Sequence, residues 1–139
     1  MISRWLRALL LLSVVGTAGE LLLMKHYESP WMVVPLVLFG LSVVGVGVVA
    51  GSGKREAVVA FRVLMLVFVL SGLVGTFLHY QGKSEFAKER DRTLTGWALA
   101  RETIFKGANP PLLAPGSMIA LGLLGLIWAS TLHSPGEAK

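Results

Sequence analysis

The sequence predicts an all-α integral membrane protein: four transmembrane helices in a bundle, with a short amphipathic surface helix between spans 3 and 4. Three observations predict it. Hydrophobic residues make up 54% of the 139 residues and charged residues only 15%. That leaves too few charges to cover a water-soluble domain of this size. Four apolar stretches, at about 5–24, 31–51, 57–79 and 112–132, are each long enough to cross a hydrocarbon core, which takes ~20 helical residues. Aromatic residues stand near their ends, at Trp5, Tyr27, Trp31, Tyr80 and Trp128, where rings with an apolar body and a polar tip belong.

Each stretch is expected to be helical, because lipid satisfies no backbone hydrogen bonds. The first begins behind Arg4 and Arg7 and resembles a signal peptide at its start. Its apolar run is too long for one, and Thr17-Ala18-Gly19 is a poor cleavage site, so a retained span is expected. The connection from Lys25 to Pro30 is short, which makes spans one and two antiparallel neighbours. Pro30 precedes the second span and Pro35 lies in its first turns, where few backbone donors are lost. Gly47 and Gly51 give that span a small face that lets backbones approach closely, and Gly16 and Gly75 do the same in spans one and three. Arg62, near the start of the third span, is expected to snorkel toward the headgroups.

Residues 80–111 form the expected extramembrane segment. Its first part is a solvated, mixed-charge stretch. Leu94, Trp97, Ala98, Arg101, Ile104 and Phe105 then recur at helical spacing beside Arg92, Glu102 and Lys106, the pattern of a helix lying on a membrane surface. Asn109-Pro110-Pro111 breaks the chain before the fourth span. All of this reads as a single membrane domain, 1–139. Basic residues at Arg4, Arg7, Lys54 and Arg55 near the span ends favour both termini in the cytoplasm of a bacterial inner membrane.

Composition also removes function classes. There is no cysteine, hence no disulfide framework, thiolate metal site or cysteine nucleophile. The formal charge of +5 fits basic residues flanking spans and meeting anionic lipid; without a basic stripe interleaved with aromatics, nucleic acid is not an expected partner. Gly51-Ser52-Gly53-Lys54 lacks phosphate-loop spacing, and no strand precedes it. No hydrolase or dinucleotide motif is present, so the chain is not expected to be an enzyme.

The candidate site is polar and lies inside apolar sequence. Ser13, Gly16, Thr17 and Glu20 share one helical face; Gly72, Gly75, Thr76 and His79 share another, with Val-Gly-Thr at the heart of both. An acid at mid-membrane costs roughly 2.5–3.5 kcal/mol, less toward a span end, so Glu20 needs a partner. A buried polar pair of Glu20 with His79 would lower the cost of both charged forms. It would fix helix register, handle a proton or hold a cation. His26 and His79 are the candidate cofactor ligands. No cofactor is expected, with haem or chlorophyll on these histidines as the alternative. No metal site is expected either, since His26, Glu28 and His79 lack ligand spacing.

In span count, length and an acid in the first helix, Glu20, the chain resembles the small multidrug resistance transporters. The resemblance implies a proton-coupled carrier. It covers general layout only: the loop between spans three and four is long, Glu20 stands near a membrane face, and no aromatic set surrounds it. The expected function is a non-catalytic accessory or scaffold subunit that packs with other membrane helices, its own copies or a heterologous subunit. The alternatives are a small transporter using Glu20 and His79, and a haem- or pigment-binding membrane protein.

Overall fold

A computed structural model describes residues 1–25, 27–28, 30–106 and 115–132. All regular structure among them is helical: α1 (Ile2–Leu23), α2 (Pro30–Ser52), α3 (Arg55–Arg90), α4 (Gly96–Arg101), which runs into a π-helical turn (Glu102–Lys106), and α5 (Gly116–Ser130). Three of these, α1, α2 and α3, are long and apolar enough to cross a membrane, and α5 is a shorter apolar helix of 15 residues. Most of the expected fourth stretch is therefore helical, and residues 112–114 of it lie outside the described set.

The third helix departs from expectation. It does not stop at His79 but continues through Tyr80 to Arg90, giving 36 residues, about 54 Å at 1.5 Å per residue. That exceeds a ~30 Å hydrocarbon core by most of its thickness again. Its last turns carry no apolar period, but Glu85, Ala87, Lys88, Glu89 and Arg90 are strong helix formers. Lys88 and Arg90 also sit in the last turn, where cations oppose the negative end of the helix dipole.

By contact density the chain divides into two compact units, Met1–Val69 with Ala120–Lys139, and Leu70–Ile119. In the first, α1 packs on α2 and buries Leu10 and Val14. The beginning of α3 meets α5 along a seam of large against small residues. Phe61, Met65 and Phe68 recur at helical spacing and are all buried; so do Gly122, Gly125 and Ala129. A Cβ at Gly122 would lie 2.7 Å from the carbonyl oxygen of Met65, and one at Gly125 would overlap the Met65 side chain. Only hydrogen fits at these two positions. Gly45 of α2 plays the same part for the Phe61 ring, 2.9 Å from the place a Cβ would take.

Two edge-to-face ring pairs complete this core. Phe61 meets Trp128 with centroids 5.2 Å apart, and Phe39 meets Phe68 at 5.5 Å, both within the range favoured by ring quadrupoles. Trp128 was expected at the membrane interface and is instead 1% exposed. It is held there edge-on against the buried Phe61 ring of α3. Trp5 and Trp31, by contrast, are exposed as interfacial residues should be.

Arg62 does more than snorkel. Its guanidinium donates to the carbonyl of Ala129 at 3.0 Å. The Ser130 hydroxyl donates to Ile127 and the Thr131 hydroxyl to Trp128. The last four carbonyls of a helix lack intrahelical donors, so three of those of α5 are closed by side chains, one of them cationic and favoured by the dipole. Arg62→Leu is expected to cost about 1–2 kcal/mol, as for loss of a charge-assisted hydrogen bond, read as a lower unfolding midpoint in detergent. Arg62→Lys should recover part of it.

In the second unit, Gly72 and Gly75 receive the entry to α5. A Cβ at Gly72 would lie 2.9 Å from the Pro115 carbonyl oxygen, and one at Gly75 would lie 2.9 Å from the Pro115 Cβ. Thr76 turns its hydroxyl back to the Gly72 carbonyl at 2.9 Å, so its polar group is met within its own helix.

Candidate functional site

Glu20 comes from the last turns of α1, where its carbonyl accepts the Met24 N–H at 2.9 Å. Its side chain is exposed, as is Gly16 one turn earlier. At about 100° per residue both turn away from Leu10 and Val14, which make the core contact. The sequence pairs Glu20 with His79; within the first unit the Glu20 carboxylate lies on an exposed face. Leu10 and Val14, on another side of the helix, take the inward stripe. His79 lies in the second unit, on α3 one turn beyond Gly75, half-buried and with its Nδ1 out of reach of solvent. His26 lies outside the described residues. Its neighbours Tyr27 and Glu28 are exposed. Among the described residues no three His, Asp or Glu side chains gather where they could hold a metal ion.

The glycines named from sequence divide. Gly75 packs against Pro115, but nothing lies within 4 Å of a Cβ built at Gly16, Gly47 or Gly51. The packing positions are instead Gly72, which the sequence set on one face with Gly75, and Gly45, Gly122 and Gly125, which reasoning from sequence missed. The available signal was complementarity, since each of the missed glycines serves a helix facing large side chains. The α2 glycines instead form an outer stripe. Gly40, Gly47 and Gly51 fall within about 40° of one another around the helix, all exposed, on the side opposite buried Leu38, Ser42 and Val49. Ser42 is buried harmlessly, its hydroxyl donating to Phe39 O at 2.8 Å.

The expected surface helix exists in part. Leu94 precedes it, half-buried; Trp97 opens α4; Ile104 and Phe105 lie in the π-helical turn. Thr103 is fully buried and donates to Leu99 O at 2.8 Å. Leu99, Ala100 and Thr103 face inward, while Trp97, Arg101, Ile104 and Phe105 face out. Lys106 pairs with Glu102 at 3.4 Å.

Between α3 and α4 the chain turns at Asp91, whose carboxylate accepts both the Thr93 hydroxyl at 2.6 Å and the Thr93 N–H at 2.9 Å. These bonds, the hydroxyl foremost, hold the Asp91 carboxyl below the ordinary aspartate value. Because folding lowers this pKa, the carboxylate favours the turn at any pH above the ordinary aspartate value, and the contribution fades as pH falls through the lowered one. Protection of the Thr93 amide from hydrogen exchange is expected to hold down to about pH 4 and fall below it. Asp91→Asn should remove that dependence.

These features define a class: an all-helical protein with three helices long and apolar enough to cross a membrane, a fourth apolar helix packed by glycine, and a polar group on an outer face. Comparison with family models, curated proteins and solved structures returns no match for this chain.

Proposed function

We propose that the chain is a non-catalytic accessory or scaffold subunit of a bacterial cytoplasmic membrane. On this reading it crosses four times as a bundle, with both termini on the cytoplasmic side, and packs its outer faces against other membrane helices. The observation that carries the reading is the outer stripe of Gly40, Gly47 and Gly51 on α2, where among the described residues nothing lies within 4 Å of an added Cβ. In lipid, apolar surface alone does not drive helices together; close backbone approach over small residues and polar contacts do. Glu20, exposed on α1 beside Gly16, supports the same reading, because a carboxylate facing acyl chains gains from a donor on a neighbouring helix.

The test is purification in mild detergent followed by native mass measurement. A complex, with itself or with a co-purifying subunit, is expected. Gly47→Leu combined with Gly51→Leu should weaken it at least about tenfold, about 1.4 kcal/mol, while leaving the protomer's unfolding midpoint in place. A monomer indifferent to both substitutions overturns the reading. The same preparation separates the alternatives. Transport lost in Glu20→Gln with the fold intact would favour a proton- or cation-coupled transporter working through Glu20 and His79. A visible absorption band would favour haem or pigment on His26 or His79.

A further inference from the structure

The segment 96–106 carries an outward face that none of the described residues of its unit covers. Trp97 is 77% and Phe105 75% exposed, with Ile104 between them and the exposed Arg101 on the same side. Water-facing tryptophan and phenylalanine in such a short segment are costly unless something apolar receives them. The course of the chain says what lies there. Pro115 packs against Gly75, inside the apolar part of α3, whereas α3 itself climbs on to Arg90, roughly 22 Å further along its axis. The chain from Asp91 to Pro115 has to cover that distance again, residues 96–106 belong to this connection, and on the membrane-embedded reading such a connection passes the headgroup layer.

We infer that the face formed by Trp97, Arg101, Ile104 and Phe105 docks into the headgroup layer of an anionic bilayer. The inference rests on the membrane-embedded reading above and adds a lipid preference to it. Charge selects the lipid. From Arg92 to Lys106 the basic residues are Arg92, Arg101 and Lys106 and the only acid is Glu102, a net excess of two positive charges. Rings anchor at the interface while guanidinium and ammonium groups meet phosphate.

Because the chain has no cysteine, one can be placed at will. Ala98→Cys, exposed on the flank of this face, carries an environment-sensitive fluorophore in the full-length protein. The protein is reconstituted in vesicles of phosphatidylcholine alone and of phosphatidylcholine with phosphatidylglycerol. Two positive charges should raise the ratio of docked to free segment about thirtyfold in the anionic vesicles. The readout is stronger quenching by headgroup nitroxides and weaker quenching by acrylamide. Trp97→Ser with Phe105→Ser should abolish the difference without changing helicity. A label equally open to acrylamide in both vesicles overturns the inference. So does one equally shielded in both, which would point to a protein neighbour. Extraction of the whole chain by alkaline carbonate would instead sink the membrane reading, so the two failures are distinct.

Discussion

Gly122→Ala is expected to destabilise the protein by about 2–3 kcal/mol, at the upper end of what one added methyl costs in a packed core. The new Cβ would lie 2.7 Å from the carbonyl oxygen of Met65, 2.8 Å from a Val69 methyl and 3.1 Å from the Phe68 Cβ. Two of these neighbours are backbone or directly attached to it, so relief requires α5 to move away from α3. That movement would loosen the contact of Trp128 with Phe61 and stretch the bond from Arg62 to Ala129. Gly47→Ala is the internal control. Its Cβ meets nothing within 4 Å, and alanine is the better helix former by up to about 1 kcal/mol. Unfolding of both variants in detergent, titrated with a denaturing surfactant and followed by helicity, measures the difference. Equal midpoints would remove the close α3–α5 approach from this account.

The contrast between those two glycines marks how far the sequence could be read. Three helices were legible because apolar runs of the required length have one stable form in lipid. Most of α5 was legible for the same reason. The extension of α3 to Arg90 was not, because a solvated helix with charge on all sides lacks a periodic signal and differs from a loop only in the propensities of residues such as Glu85, Ala87 and Lys88. Glycine is common in membrane helices, so a small face alone does not say whether it turns inward or outward. Gly16, Gly47 and Gly51 were read as contacts and face outward, while Gly45 and Gly122 hold the core. What decides is the size of the residues opposite. Phe61, Met65 and Phe68 form a bulky stripe that demands a small one, and Gly122, Gly125 and Ala129 supply it.

The candidate site was legible in its residues but not in their direction. Glu20 was marked by being an acid in an apolar run, which is a property of composition. Its exposure depends on which α1 stripe faces α2, and Leu10 and Val14 hold that stripe, although Leu9, Leu12 and Val15 are as large and lie outside it. The π-helical turn at Glu102–Lys106 left no trace in sequence at all. Ile104 and Phe105 are exposed within it all the same, as is Trp97 of α4.

Trp128→Ala is expected to cost about 3–5 kcal/mol, the range for removing a large buried aromatic. The side chain is 1% exposed and is the largest among those fully buried. On the four-span reading proposed above, the cost does not come from returning apolar surface to water, since acyl chains are as apolar as the core. It comes from lost dispersion contacts around a cavity that the neighbours cannot close. Phe61 is held on its other side by Gly45 and cannot advance far, and Met65 already fills the space over Gly125. The edge-to-face pairing with Phe61 at 5.2 Å and 86° adds about 0.5–1.5 kcal/mol beyond simple packing. Trp128→Phe should therefore recover most of the stability, because a smaller ring can keep the edge-on approach. Phe61→Leu in the Trp128→Ala background should cost less than in the native chain, since the pair term is already gone. That non-additivity, measured as a double-mutant cycle on unfolding midpoints in detergent, isolates the ring pair. Strict additivity of the two substitutions would mean that Trp128 fills volume without engaging Phe61, and would leave the glycine seam alone to hold α5 against α3.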